Sequence, residues 1–127
     1  MRYLLDTHVI IWMAEDSEKL PPEMKKILED DENKVYLCTI SLWEIAIKMN
    51  LGKLDLGMRL DEFLENIEQR DFSILHIEND YLKALSDLPY IHKDPFDRLL
   101  ISTALTENLT IMTIDENIQQ YDVSWVW

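Results

Sequence analysis

The sequence predicts an α/β fold, a three-layer α/β/α sandwich around a mostly parallel five-stranded sheet. Two patterns and one size constraint lead there. Short apolar runs without polar alternation, Tyr3-Leu4-Leu5 and Val35-Tyr36-Leu37-Cys38, suit strands covered on both faces. Segments with helical spacing separate such runs, so the strands are joined by right-handed crossovers that leave the sheet parallel. The 127 residues, 47% of them hydrophobic with only two glycines and four prolines, are enough for one packed core and too few for two. A single domain over residues 1–127 is expected.

In chain order, Arg2 to Leu5 reads as the first strand, ended by Asp6, and Val9, Ile10, Trp12 and Met13 fit one side of a short helix. Pro21-Pro22 opens a second helix with Met24, Ile27 and Leu28 at helical spacing. Val35 to Thr39 is the second strand. Ser41 starts a helix through Asn50 that Gly52 closes, and Leu60, Phe63, Leu64 and Ile67 mark the next at i, i+3, i+4, i+7. Phe72 to Ile77 is the third strand, followed by a helical stretch with Tyr81, Leu82 and Leu85 that Pro89 breaks. Asp94-Pro95 begins a helix carrying Leu99, Leu100 and Ala104, after which Leu109 to Ile114 and Val123 to Trp127 supply strands four and five.

Composition narrows the function. The apolar run Val9 to Ala14 is too short to span a bilayer, and Asp6 and His8 stand where a signal peptide is uninterrupted, so the reading is a cytoplasmic protein without membrane association. The lone Cys38 has no disulfide partner and is expected to be buried. Twelve Lys and Arg against 25 Asp and Glu leave a net charge of −13, which opposes broad electrostatic capture of nucleic acid. A polyanionic substrate therefore needs a local exception. The runs Glu15-Asp16 with Glu18, Glu29 to Glu32, and Asp61, Glu62, Glu65 and Glu68 read as solvated helix faces, with attraction of a basic partner as the alternative.

In an open parallel sheet, ligands bind beyond the carboxyl ends of the strands. Asp6 follows the first strand, Glu44 falls in the first turn of the helix after the second, Asp94 and Asp97 open the helix before the fourth, and Asp115 follows the fourth. Carboxylates gathered there repel one another unless protonated or bridged by cations, and hard Mg²⁺ or Mn²⁺ prefers oxygen ligands. Such a site can hydrolyse a phosphodiester without a histidine. Each acid also has a plain structural reading. Ser41-Leu42-Trp43-Glu44 has the form of a capping box, Asp94 that of an N-cap ahead of Pro95, and Asp115 can cap a short helix. For Asp6 both readings stay open, and the shared sheet edge tips the balance toward a site.

Four segments, Leu4-Leu5-Asp6-Thr7-His8-Val9, Ser41-Leu42-Trp43-Glu44, His92-Lys93-Asp94-Pro95-Phe96-Asp97-Arg98 and Thr113-Ile114-Asp115, together resemble the PIN-domain ribonucleases, most nearly the VapC toxins of toxin–antitoxin pairs. Each motif alone is weak, but they occur in the right order from Tyr3 to the C-terminus. The resemblance implies a Mg²⁺- or Mn²⁺-dependent endoribonuclease with Asp6, Glu44, Asp97 and Asp115 as its catalytic, metal-holding acids. Asp97 is preferred to Asp94 because the apolar helix Leu99 to Ala104 follows it. Asp94 and Thr113 are supporting residues on this reading. It also implies a homodimer, RNA as substrate and a small antitoxin that aims a basic side chain at the acids and covers helix surface around Val9, Trp12 and Met13.

The other candidates have simpler readings. Arg98 is expected to pair structurally with Asp94, with contact to a substrate phosphate as the alternative, and Lys48 to pair with Glu44 one helical turn away. His8 and His92 are assigned supporting or surface positions, and Trp12 and Trp43 the core or a subunit interface, with base stacking as the alternative. Two rival functions remain. One is a receiver-type signalling domain, which the lone Asp6 and the terminal Trp125-Val126-Trp127 disfavour. The other is an inactive PIN-like module that only binds partners, which the complete set of acids disfavours.

Overall fold

A computed structural model describes residues 1–127. The strands are β1 (Arg2–Leu5), β2 (Lys34–Cys38), β3 (Phe72–Leu75), β4 (Thr110–Met112) and β5 (Trp125–Val126), and the helices are α1 (Thr7–Ala14), α2 (Pro22–Glu29), α3 (Thr39–Asn50), α4 (Leu60–Glu68), α5 (Asn79–Ser86), α6 (Pro95–Glu107) and α7 (Glu116–Gln119). All strands pair in parallel, in the order β3-β2-β1-β4-β5. This is the predicted α/β/α architecture. The order also removes the receiver reading, because that fold has the strand order 2-1-3-4-5.

Alternation along the strands explains why they lack a polar face. Leu4 and Ile111 point into one cluster with Leu99, Leu100, Ala104 and Tyr81 from α5 and α6. Leu5 and Met112 point into another with Val9, Ile10, Met24, Phe63 and Ile67 from α1, α2 and α4. Truncating Leu4 or Leu5 to Ala opens a cavity on one face only, at a cost of about 2–5 kcal/mol. Cys38 is buried in the first cluster, as expected, and burial pushes its thiol pKa up. The acidic runs are on exposed surface, as read from sequence. No helix is long and apolar enough to cross a membrane.

Several boundaries differ from expectation. β2 ends at Cys38 and α3 begins at Thr39, so Ser41 is inside the helix and no capping box forms. Glu44 consequently falls in the second turn, not the first. β3 stops at Leu75 because its only neighbour ends opposite, at Cys38. β4 and β5 are likewise limited to the residues that find partners, Thr110 to Met112 against β1 and Trp125 to Val126 against β4. The predicted stop of α3 is confirmed in detail. Gly52 adopts φ +70°, its N–H reaches the Met49 carbonyl and the Lys53 N–H reaches Lys48, the two bonds of a Schellman motif. Val9, expected at an interface, is fully buried against the sheet; only Trp12 and Met13 are partly accessible.

Candidate active site

The sheet order reverses between β1 and β4, so the crevice beyond their carboxyl ends is the topological switch point of the fold. Asp6 and Thr113 stand there on adjacent strands. The Asp6 N–H extends the ladder to the Met112 carbonyl, and the Thr113 hydroxyl donates to Asp6 Oδ2 at 2.6 Å. The same hydroxyl oxygen accepts the Asp115 N–H at 3.0 Å, so one threonine ties two of the acids together and its proton direction is fixed.

Asp6 occupies the N-cap position of α1 yet its side chain makes no capping bond. Burial raises its pKa, with Asp115 adding to the rise and the Thr113 hydrogen bond, the His8 charge and the nearby His8 backbone N–H opposing it. A carboxyl hidden from water and not used for capping is poorly explained as a structural residue.

Glu44 is also buried. Its Oε1 accepts the Thr7 hydroxyl at 2.9 Å and its Oε2 lies 3.0 Å from Lys48 Nζ, the predicted helix pair. Asp97 is the third residue of α6, where its N–H and that of Phe96 both donate to Asp94 Oδ1. Asp94 is thus the N-cap that sequence suggested. The Asp97 pKa is pushed up to about 8, first by burial and then by the charges of Asp6, Asp94, Glu44 and Asp115. That single carboxyl feels every other acid of the predicted set. Asp115 caps α7 through Oδ1, which accepts from Asn117 and Ile118, and presents Oδ2 to His92.

His92 is the residue that sequence placed least well. It was assigned a supporting or surface role, but it lies inside the acid cluster, with Nε2 2.9 Å from Asp97 Oδ2 and 3.1 Å from Asp115 Oδ2 and only 13% of its side chain exposed. His8 is a surface residue that leans on Trp12. The Arg98 guanidinium makes no bond to the Asp94 carboxylate; the two residues are joined only by the backbone N–H of Arg98, which donates to the Asp94 carbonyl at 3.1 Å. The guanidinium donates to the carbonyls of Leu88 and Pro89 and to the Tyr121 hydroxyl, and it lies over the Tyr90 ring, so it anchors the loop before α6. Trp43 is not core: it is 56% exposed and meets Phe96 edge to face, beside the acids. Trp12 packs partly buried against Trp127. Thr7 enters the sequence reading only inside the first motif, with no role of its own, and Tyr121 does not enter it at all.

The sequence matches the PIN-domain family over residues 3–124. The chain belongs to that family. No curated protein matches the sequence. The PIN fold recurs at low identity in solved structures. VapBC2 from Rickettsia felis, bound to a DNA fragment from its promoter, superposes with a TM-score of 0.77 at 19% identity over 100% of this chain and 99% of that one. A toxin–antitoxin complex from Klebsiella pneumoniae gives 0.66 at 18% identity, covering 98% and 96% of the two chains. FitAcB from Neisseria gonorrhoeae gives 0.62 at 23% identity, again covering 98% and 96%.

Proposed function

We propose that this PIN domain is a divalent-cation-dependent endoribonuclease, the toxin of a toxin–antitoxin pair, with Asp6, Glu44, Asp97 and Asp115 as its catalytic acids. The observation that carries the proposal is the gathering of these carboxyls at the switch point, where Thr113 ties Asp6 to Asp115 and His92 Nε2 lies within 3.1 Å of both Asp97 and Asp115. An all-oxygen donor set with excess negative charge fits a hard cation such as Mg²⁺ or Mn²⁺ and suits a softer metal less well. When bound, such a cation supplies Lewis acidity toward a phosphodiester and makes water a better nucleophile.

The protein's own residues have separable tasks in this reading. Asp6, Asp97 and Asp115 hold the cation, and Glu44 completes the acidic wall. Thr113 fixes the relative placement of Asp6 and Asp115, while Thr7 fixes Glu44. The exposed Trp43 offers a stacking face for an unpaired base next to Glu44. Because the net charge is −13, approach of RNA phosphates depends on neutralising this cluster.

The partner reading rests on charge, on the family and on the toxin–antitoxin complex among the structural neighbours. A small antitoxin with a basic side chain would be attracted to the acids, and a groove of about 320 Å³ lined by Met13, Met58, Phe63 and Arg70 offers a place for an apolar segment. We also propose a single domain, a homodimer and a cytoplasmic location.

The test is cleavage of a panel of structured RNAs by the purified chain free of partner, with Mg²⁺, Mn²⁺ and excess chelator side by side and Asp97→Asn as the contamination control. Cleavage that needs the cation and is absent from the variant supports the proposal. Undiminished cleavage in chelator by the wild type alone contradicts the metal mechanism.

A further inference from the structure

His92 is held from both sides. Its Nδ1 accepts the backbone N–H of Asp94 at 3.2 Å. A backbone N–H can only donate, so Nδ1 carries the lone pair and the ring proton is on Nε2. That proton points between Asp97 Oδ2 and Asp115 Oδ2, at 2.9 and 3.1 Å from Nε2.

The loop behind the ring is pinned as well. The N–H groups of Ile91 and His92 both donate to the Tyr121 hydroxyl, at 3.0 and 2.8 Å, and Arg98 donates to the same oxygen while gripping the Leu88 and Pro89 carbonyls. Tyr121 is buried. The imidazole is therefore positioned by its backbone and not merely drawn to the acids.

We propose that His92 is a displaceable clasp, whose Nε2–H holds Asp97 and Asp115 together in the metal-free protein and must leave when a cation bridges them. The inference rests on the cation reading above. The His92 nitrogen and the two carboxylate oxygens all lie within 4.8 Å of one another. A cation held by both carboxylates would need the space between their oxygens in which Nε2–H now lies. In this tautomer Nε2 has no lone pair to offer a metal. Moving the ring proton to Nδ1 to free one would set an N–H against the Asp94 N–H. His92 is thus a positioning residue and a competitor of the cation, not its ligand.

Calorimetric titration of the purified chain with Mn²⁺ alone, at constant pH, separates the alternatives. The clasp predicts that His92→Ala binds Mn²⁺ about tenfold more tightly than wild type while the metal-free protein melts at a lower temperature, since a hydrogen bond to charged groups is lost from the apo state only. Tyr121→Phe leaves ring and acids intact but removes the anchor of the loop, and is expected to shift affinity the same way by about two- to threefold. Ring ¹⁵N spectra should show the Nε2–H resonance of His92 move on saturation with Mg²⁺. Weaker Mn²⁺ binding by His92→Ala would make His92 a ligand or a support and overturn the clasp; equal binding by both chains overturns it too. If neither chain binds Mn²⁺, the cation reading itself fails and displacement fails with it.

Discussion

Three aspartates in this protein occupy the same local position, the residue before a helix, and they differ in what the side chain does there. Asp94 and Asp115 cap α6 and α7, each accepting two backbone N–H groups through Oδ1. Asp6 precedes α1 with a similarly extended backbone, but its side chain makes no cap bond of hydrogen-bond geometry and instead accepts the hydroxyl of Thr113, just past the neighbouring strand. Asp94 is occupied by its own helix, whereas Asp115 caps with Oδ1 and still turns Oδ2 toward His92. On the proposed reading the buried Asp6 carboxyl serves a cation, since burying a carboxylate without a compensating charge is unfavourable. The same local position thus gives a cap at Asp94, a cap with a second oxygen left for the cluster at Asp115, and on the proposed reading a site residue at Asp6.

The largest expected effect separates the two classes by activity. Asp6→Asn and Asp97→Asn should lower cation-dependent RNA cleavage by on the order of 100-fold or more, measured on a substrate found with the RNA panel. Asp94→Asn keeps an effective N-cap and should stay within about tenfold of wild type. Equal losses for Asp6→Asn and Asp94→Asn would erase the distinction.

Stability should move in opposite directions. Two carboxylates about 5 Å apart repel by roughly 3 kcal/mol at an effective dielectric of 20, and partial protonation leaves a net relief of about 1 kcal/mol when one becomes an amide. Metal-free Asp6→Asn should thus melt about 3–6 °C above wild type. Asp94→Ala loses the bonds to Phe96 and Asp97 and should melt lower by a similar margin, for about 1 kcal/mol. Scanning calorimetry in chelator checks both signs.

The acid cluster also predicts a pH dependence. Asp97 titrates near pH 8 in the folded chain and near its ordinary 3.8 when unfolded, so between those values the folded state binds more protons. Its contribution favours folding fully below about pH 4 and is lost as pH rises through about 8. Urea unfolding of wild type and Asp97→Asn should then show the variant gaining on the wild type as pH rises from 5 to 8.5. A constant difference would mean that Asp97 is ionised throughout. The smallest effect is expected at Lys48, a partly exposed helix pair with Glu44. Lys48→Met should change stability by about 0.5 kcal/mol or less.

Much of this was legible in the sequence because it lies at element boundaries. Asp6 ends an apolar strand, Asp97 follows Pro95 at a helix start and Asp115 ends another strand, and periodicity alone sets all three at the same sheet edge. Glu44 was found from its place early in the helix after β2, and the capping box that was its structural alternative does not form. Its real support, the Thr7 hydroxyl, comes from a different element and left no local trace. His92 was undervalued for the same reason: its place depends on Tyr121, 29 residues further on, and on Arg98, whose partners are loop carbonyls. Contacts across the fold, not along the chain, decide which polar residues share a site.

The most direct measurement is a thermal-shift titration with Mn²⁺ on wild type, Asp6→Asn and Asp94→Asn in parallel. A ligand stabilises a protein only through its affinity for the folded state. The site assignment predicts a saturating rise in Tm for wild type, a similar rise for Asp94→Asn and a much smaller one for Asp6→Asn. An undiminished response in Asp6→Asn would contradict it and return Asp6 to a structural role.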